Sequence, residues 1–240
     1  MTAASAVPAL ELIGVKAGYG KIEILHDVNL VVPAGSVVAL LGPNGAGKST
    51  TLGVASGRVV PTAGCLHVGG RHVNGLPPEA LVRGGVCSIP EGRGVFANLT
   101  VRDNLKLWSH GTDKSMVQIE SLVYARFPRL KERRRQLAGS MSGGEQQMLA
   151  VARAVVADAG LLLLDEISMG LAPRIVAELY ELVAQLAADG LAILLVEQFA
   201  QTALAVADHA AIMTSGSIKA SGSPADIAAE LADAYLGGAA

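Results

Sequence analysis

Aromatic side chains are scarce in this chain of 240 residues, at 3% of the total. Its core must therefore be filled by alanine, valine, leucine and glycine, and a hydrophobic fraction of 51% supplies enough for a sizeable interior. An excess of one charge is also lacking. With a net charge of −2, nothing suggests bulk electrostatic binding of nucleic acid. The two cysteines, Cys65 and Cys87, have no metal-type spacing and sit in apolar surroundings, so two reduced, buried thiols are expected, as in a cytosolic protein. Apolar runs such as Leu191 to Val196 fall far short of the roughly 20 residues that span a bilayer, so any membrane role must come through a partner. The opening MTAASAVP has no basic stretch leading into an apolar core, so a frayed tail over residues 1–8 is expected rather than a secretory leader. Repeats and low-complexity segments are missing too. The length suits one large α/β domain, or one such domain with an insertion.

What is present centres on Gly42-Pro43-Asn44-Gly45-Ala46-Gly47-Lys48-Ser49-Thr50. It follows the apolar run Val37 to Leu41, a candidate buried strand, and precedes a candidate helix over residues 51–57. Strand, then G-x-x-x-x-G-K-S-T, then helix is the context of a phosphate-binding loop. Glycines let the backbone fold into a nest of inward N–H groups, and the helix adds its unpaired N–H groups and the positive end of its dipole. Lys48 can then reach β- and γ-phosphates, and the Ser49 hydroxyl can ligate Mg²⁺.

Upstream, residues 9–33 alternate through Leu10, Leu12 and Val15, then Ile22, Ile24 and Val28, with a break at Gly18-Tyr19-Gly20. This predicts antiparallel strands joined by a turn, and Gly64 to Val73 adds a second pair. Tyr19 is either an aromatic face for a nucleobase or a turn tyrosine half buried in the sheet. Val86 to Ile89 reads as a short strand that delivers Glu91 on a glycine-rich loop, where α/β sheets form their ligand crevice. Thr100 and Asp103 predict a capped helix through Leu107. From there to about residue 140 the chain is helical and charged, with a basic cluster at Arg126, Arg129, Lys131, Arg133, Arg134 and Arg135. That cluster is either a solvated face or a contact for a partner or lipid surface.

Ser142-Gly143-Gly144-Glu145-Gln146 opens a helix running through Val156, with Ser142 as N-cap. Its bare start is either a second anion site or an ordinary capped end. Leu161 to Leu164 followed by Asp165 and Glu166 reads as a buried parallel strand with carboxylates at its C-terminal end. Paired with a phosphate loop, Asp165 is expected to hold Mg²⁺ and Glu166 to face the attacking water. An amphipathic helix over residues 173–189, with Ile175, Leu179, Leu182 and Leu186 on one face, leads to another buried strand ending at Glu197-Gln198. A hairpin around Ser215-Gly216 and a last helix from Ser223-Pro224 complete the chain.

Together these residues resemble an ABC-transporter ATP-binding subunit. The marks are the loop at residues 42–50, the signature at residues 142–146 and the run Leu161 to Glu166, in that order. Pro90-Glu91-Gly92-Arg93, Arg129 to Arg133, Gly170 to Pro173 and Val196-Glu197-Gln198 are similar to the subgroup serving branched-chain (hydrophobic) amino-acid importers, whose close relatives serve urea and short amides. The resemblance implies an α/β P-loop NTPase with a mixed, mainly parallel core sheet, an N-terminal antiparallel β subdomain and an inserted α-helical subdomain. Residues 9–240 would form one ATPase domain, with core segments 9–97 and 156–240 and the insertion at 98–155. It implies an ATPase with Tyr19 on adenine, Glu91 assisting Mg²⁺, Gln198 at the switch position, and Ser142, Gly143 and Gly144 contacting the nucleotide of a partner in a head-to-tail dimer. It also implies a second ATPase subunit, related or identical, two membrane permease subunits, an extracytoplasmic solute-binding protein, a place on the cytoplasmic face of the membrane, and no nucleic-acid partner.

Several positions depart from the general family pattern. Glu91 replaces a glutamine, Gln198 a histidine, Ile167 a proline and Ala172 an aspartate, and Phe199 stands where the subgroup has asparagine. Gln198 can donate a hydrogen bond to a γ-phosphate but carries no charge. One P-loop and one signature argue against a ribosome-acting member, and the lack of sustained heptads argues against a DNA-acting one. Glu166 argues against a non-catalytic module.

Overall fold

The computed structural model describes residues 7–92 and 94–236, with side-chain surroundings to residue 231. Residues 1–6 of the expected tail, and Arg93 of the Glu91 loop, lie outside the described residues.

Two strands, β1 (Leu10–Tyr19) and β2 (Ile22–Val32), form the expected hairpin, and β3 (Val37–Leu41) leads through the glycine loop into α1 (Lys48–Ala55). Next come β4 (Ala63–Val68), β5 (Arg71–His72), α2 (Pro78–Arg83) and β6 (Val86–Ile89). Four helices then intervene: α3 (Val101–Trp108), α4 (Met116–Arg126), α5 (Pro128–Glu132) and α6 (Gly143–Val156). The chain returns to the sheet with β7 (Leu161–Asp165), α7 (Pro173–Ala188), β8 (Ala192–Glu197) and α8 (Ala200–Leu204). It ends in the hairpin β9 (His209–Thr214) and β10 (Ser217–Gly222), followed by α9 (Pro224–Leu236).

One sheet is antiparallel, in the order β2-β1-β4-β5; the other runs β10-β9-β3-β8-β7-β6 and is parallel except for β10. The leucine run of β7 is apolar throughout because both of its faces are covered. Leu161 and Leu163 face the antiparallel sheet and α1, in one core with Leu10, Leu12, Leu52, Leu194 and Val196. Leu162 and Leu164 face the opposite way, into a second core with Leu149, Val151, Leu179, Val183, Ile193 and Leu195. The 10-residue strand β1 cannot alternate cleanly, because its pairing with β2 shifts register near Val15 and Ala17. As a result Ile22 stays exposed and Ile24 only half buried, against the alternation read from the sequence.

Three of the six residues of the basic stretch form ion pairs, and Lys131, Arg134 and Arg135 are exposed. Arg126 meets Asp189 at 2.7 Å, Arg129 meets Glu178 at 3.0 Å and Arg133 meets Glu145 at 2.6 Å. These arginines thus stitch the helical layer to α6 and α7.

The cysteines differ, which corrects the expectation of two buried thiols: Cys87 is buried but Cys65 only partly so. Burial pushes the Cys87 thiol up to about 11, with Arg153 pulling weakly the other way. Thiolate is the reactive form, so a maleimide or disulfide reagent should label Cys65 in the native protein and reach Cys87 only on unfolding. Equal labelling rates in mass-spectrometric time courses would contradict this burial.

Candidate active site

The register of the parallel strands assembles the site. Leu41 pairs with Glu197, Asp165 with Val196, and Ile89 with Leu164. Four strands therefore end on one edge, and the next residues (Gly42, Gln198, Glu166 and the Glu91 loop) all emerge there. Loops beyond the carboxyl ends of parallel strands are where α/β sheets bind ligands.

The glycine loop is fixed by close backbone approaches. Gly45 and Gly47 adopt φ of 80° and 107°. A Cβ on Gly42 would lie 2.2 Å from the Met213 carbonyl, and one on Gly47 3.0 Å from Leu25 Cδ2. The turn between β9 and β10 braces it from outside: Gly216 N–H donates to the Ala46 carbonyl at 2.8 Å, while the Gly216 carbonyl accepts from His26 N–H at 2.8 Å. A Cβ on Gly216 would sit 1.9 Å from the Ile24 carbonyl. Gly216 is thus required by the site, although the sequence marked it only as a hairpin turn.

Lys48 opens α1 and is 4% exposed. Its Nζ donates to the carbonyls of Gly42 at 2.8 Å and Pro43 at 3.2 Å, and lies 3.5 Å from Glu166 Oε1. The Ser49 hydroxyl donates to Asp165 Oδ1 at 3.3 Å. Ala46, Gly47 and Thr50 are buried, while Pro43, Asn44 and Gly45 face solvent. Burial pushes the Asp165 carboxyl above the usual carboxylate range; the Ser49 hydroxyl pulls it back, Glu166 and Glu91 push it up, and Arg58 lowers it. Glu91 is exposed yet close enough to be felt by Asp165. Glu166 holds a left-handed backbone, φ 46°, which a non-glycine residue adopts only at a cost. The Glu166 N–H donates to the Val196 carbonyl at 3.0 Å.

Among the described residues no group of three or more His, Cys, Asp or Glu makes a metal site from protein ligands alone. Ser49 and Asp165 instead offer the one or two oxygen ligands that Mg²⁺ takes from a protein when phosphates and water complete its shell, so the donor set fits that ion.

Tyr19 ends β1, pairs with Ile22 and is 57% exposed. Gln198 is exposed and shares a cleft of about 740 Å³ with Gly42, Pro43 and Phe199. The signature residues form the start of α6. The Ser142 hydroxyl accepts from Glu145 N–H at 3.4 Å, and Glu145 Oε2 accepts from Ser142 N–H at 3.0 Å, a complete capping box. Burial opposes charge on Glu145, but Ser142 and the Arg133 guanidinium hold its carboxyl below the usual range. Gly144 is buried, and a Cβ there would meet Ile175 Cγ2 at 2.1 Å, so glycine lets α6 lie against α7. Among the described residues no hydrogen bond or ion pair joins Ser142, Gly143 or Gly144 to the glycine loop of the same chain.

Sequence reasoning missed Asn104. Fully buried, it accepts from Phe96 N–H at 2.8 Å and donates to the Phe96 and Thr100 carbonyls, fixing a loop that leaves Phe96 exposed. A polar residue inside a capped amphipathic helix is the signal that could have found it.

A buried lysine in a glycine nest, with two carboxylates at the end of β7, one strand removed from β3 in the same parallel sheet, defines a P-loop nucleotide triphosphatase. The ABC transporter family model matches residues 25–168. The chain is 45% identical over 223 residues to the high-affinity branched-chain amino acid transport ATP-binding protein BraG of Pseudomonas aeruginosa, covering 92% of this chain and 96% of that protein. It is 38% identical over 216 residues to the probable branched-chain amino acid transport ATP-binding protein LivF of Archaeoglobus fulgidus, covering 89% and 91%. A solved structure of the ATP-binding subunit of an ABC transporter superposes with a TM-score of 0.81 at 30% identity, covering 93% of both chains. The chain belongs to the ABC transporter family, as an ATP-binding and ATP-hydrolysing subunit. Membership implies permease partners in the membrane and a dimer of ATPase subunits. No described helix is long and apolar enough to cross a membrane.

Proposed function

We propose that the chain powers uptake of branched-chain or other hydrophobic amino acids from the cytoplasmic face of the membrane, on two permease subunits fed by an extracytoplasmic solute-binding protein. The observation that carries the catalytic part is the linked cluster Lys48, Ser49, Asp165 and Glu166 at the end of the parallel sheet. Similarity to two proteins named for branched-chain amino-acid transport supports the solute class.

In this reading adenine stacks on the exposed Tyr19 and the phosphates lie in the nest of residues 42–50. Lys48 exchanges its carbonyl contacts for oxygens of the β- and γ-phosphates. Ser49 and Asp165 would hold Mg²⁺, with Glu91 assisting, and the ion would supply neutralisation of charge on the phosphate oxygens. Glu166 polarises the water that attacks the γ-phosphorus as the bond to the β–γ bridging oxygen breaks, giving ADP and phosphate. Gln198 donates a hydrogen bond to the γ-phosphate. Most of the acceleration is positioning and electrostatic stabilisation.

The signature residues act on the other site. In a head-to-tail dimer, Ser142, Gly143 and Gly144 of each subunit close on the γ-phosphate held by its partner, so ATP joins the subunits and hydrolysis releases them. The partner is a related second ATPase subunit or a second copy of this chain. The permease docks beside the Glu91 loop and α3, where Phe96 and Leu107 are exposed.

Uptake of radiolabelled leucine by cells lacking the gene tests the solute assignment. Complementation with the native chain should restore uptake, and the Lys48→Ala chain should not. Uptake of urea but not leucine would redirect the assignment to the urea and amide branch.

A further inference from the structure

Glu197 takes no part in the chemistry described above, yet it is among the most completely buried charged groups, at 1% exposure. It accepts three hydrogen bonds: from Tyr180 O–H at 2.7 Å and Ser168 N–H at 3.1 Å on Oε1, and from the Ser168 hydroxyl at 2.9 Å on Oε2. All three donor groups, two of them on Ser168, are neutral. Burying a carboxylate without a cation is costly, and hydrophobic packing would fill the same space more cheaply. What the arrangement provides is a fixed position for the backbone just past the catalytic strand.

That backbone is held from three directions. The Glu166 N–H is bonded to Val196, the Ile167 carbonyl accepts from Gln147 Nε2 of α6 at 3.0 Å, and Ser168 is bonded through both its amide and its hydroxyl to Glu197. Between these anchors Glu166 keeps its left-handed φ of 46°. Such a conformation persists only where the surroundings over-determine it. Burial, and then the charge of Glu197, keep the Tyr180 phenol protonated and so a steady donor.

We propose that Glu197 is a positioning residue for ATP hydrolysis: its buried carboxylate, braced by Tyr180, fixes residues 166–168 so that the Glu166 side chain is presented to the phosphate site. The inference rests on the reading of Glu166 as the group that polarises water. Glu197 also directly precedes Gln198, so one carboxylate sets both the catalytic and the switch segments. Gln147 ties the same segment to the helix whose start serves the partner's nucleotide.

The test is phosphate release by the full chain across ATP concentrations, together with nucleotide-binding titration and hydrogen exchange of residues 166–172. The variants are Glu197→Gln, Tyr180→Phe, Glu166→Gln and the double variant Glu197→Gln/Glu166→Gln. A glutamine can keep one oxygen for Tyr180 O–H and Ser168 N–H, but it removes the negative charge and turns its NH₂ to the Ser168 hydroxyl, which must then accept instead of donate. Glu197→Gln should lower kcat roughly tenfold or more with KM within about twofold, and should speed exchange in residues 166–172. Tyr180→Phe should move kcat the same way by less, and it carries the same test should Glu197→Gln fail to fold. In the Glu166→Gln background, Glu197→Gln should change the residual rate, read with radiolabelled ATP, by less than about twofold. Native kcat in folded Glu197→Gln and Tyr180→Phe, or an equal loss in both backgrounds, would overturn the proposal while leaving Glu166 in place. Native turnover in Glu166→Gln would instead remove the catalytic reading, and the proposal with it.

Discussion

Glu166→Gln should slow ATP hydrolysis by about 10²- to 10⁴-fold, the range for loss of a positioned general base, while nucleotide still binds. The reason lies in where the side chain sits. Its Oε1 is 3.5 Å from Lys48 Nζ, and its backbone is anchored to β8, so an isosteric amide keeps the shape of the site. What it loses is the negative charge and basicity that polarise a water. With hydrolysis blocked, the ATP-bound dimer should accumulate, which size-exclusion chromatography with and without ATP and Mg²⁺ reads directly. Turnover within a few-fold of native, in protein free of contaminating ATPase, would take Glu166 out of this role.

Lys48→Ala should be nearly as severe by a different route. It removes the buried cation in the nest, a loss comparable to deleting a donor that stabilises transition-state charge, about 10²- to 10³-fold in turnover. Because Lys48 contacts ground-state phosphates as well, ATP affinity should also fall, by roughly tenfold or more. The two variants therefore separate cleanly: Glu166→Gln binds and does not turn over, whereas Lys48→Ala binds weakly. Isothermal titration with a non-hydrolysable ATP analogue distinguishes them. The side chain also satisfies the Gly42 and Pro43 carbonyls, so circular dichroism must establish that the variant is folded. Native affinity and turnover in folded Lys48→Ala would be incompatible with this site.

The glycine loop, the leucine strand β7, the capped helices α3 and α6 and the closing hairpin were legible in the sequence, because each carries a local signal. Glycines mark a nest, unbroken leucines mark a strand buried on both faces, and Ser142 with Glu145 marks a helix start. The parts that could not be read depend on register and long-range packing. Val196 and Glu197 looked like the end of another apolar strand, and nothing local reveals that Glu197 points into a pocket made by Ser168 and Tyr180. Gly216 looked like an ordinary turn residue until its contact with Ala46 placed it against the phosphate loop. The exposure of Ile22 and the half-exposure of Cys65 follow from strand pairing, which alternation alone does not fix. Tyr19 is equivocal from its neighbours because an exposed turn aromatic and a base-stacking aromatic carry the same local signal.

Whether this chain energises a membrane importer is tested most directly by recovery of tagged Glu166→Gln protein from detergent-solubilised membranes in ATP and Mg²⁺, with mass-spectrometric identification of what accompanies it. Two polytopic membrane proteins and a second ATPase subunit, or a second copy of this chain, should be recovered at near-stoichiometric yield and lost with the Lys48→Ala control. Recovery of ribosomes, or of a soluble homodimer alone from cells that express the permeases, would contradict the importer reading.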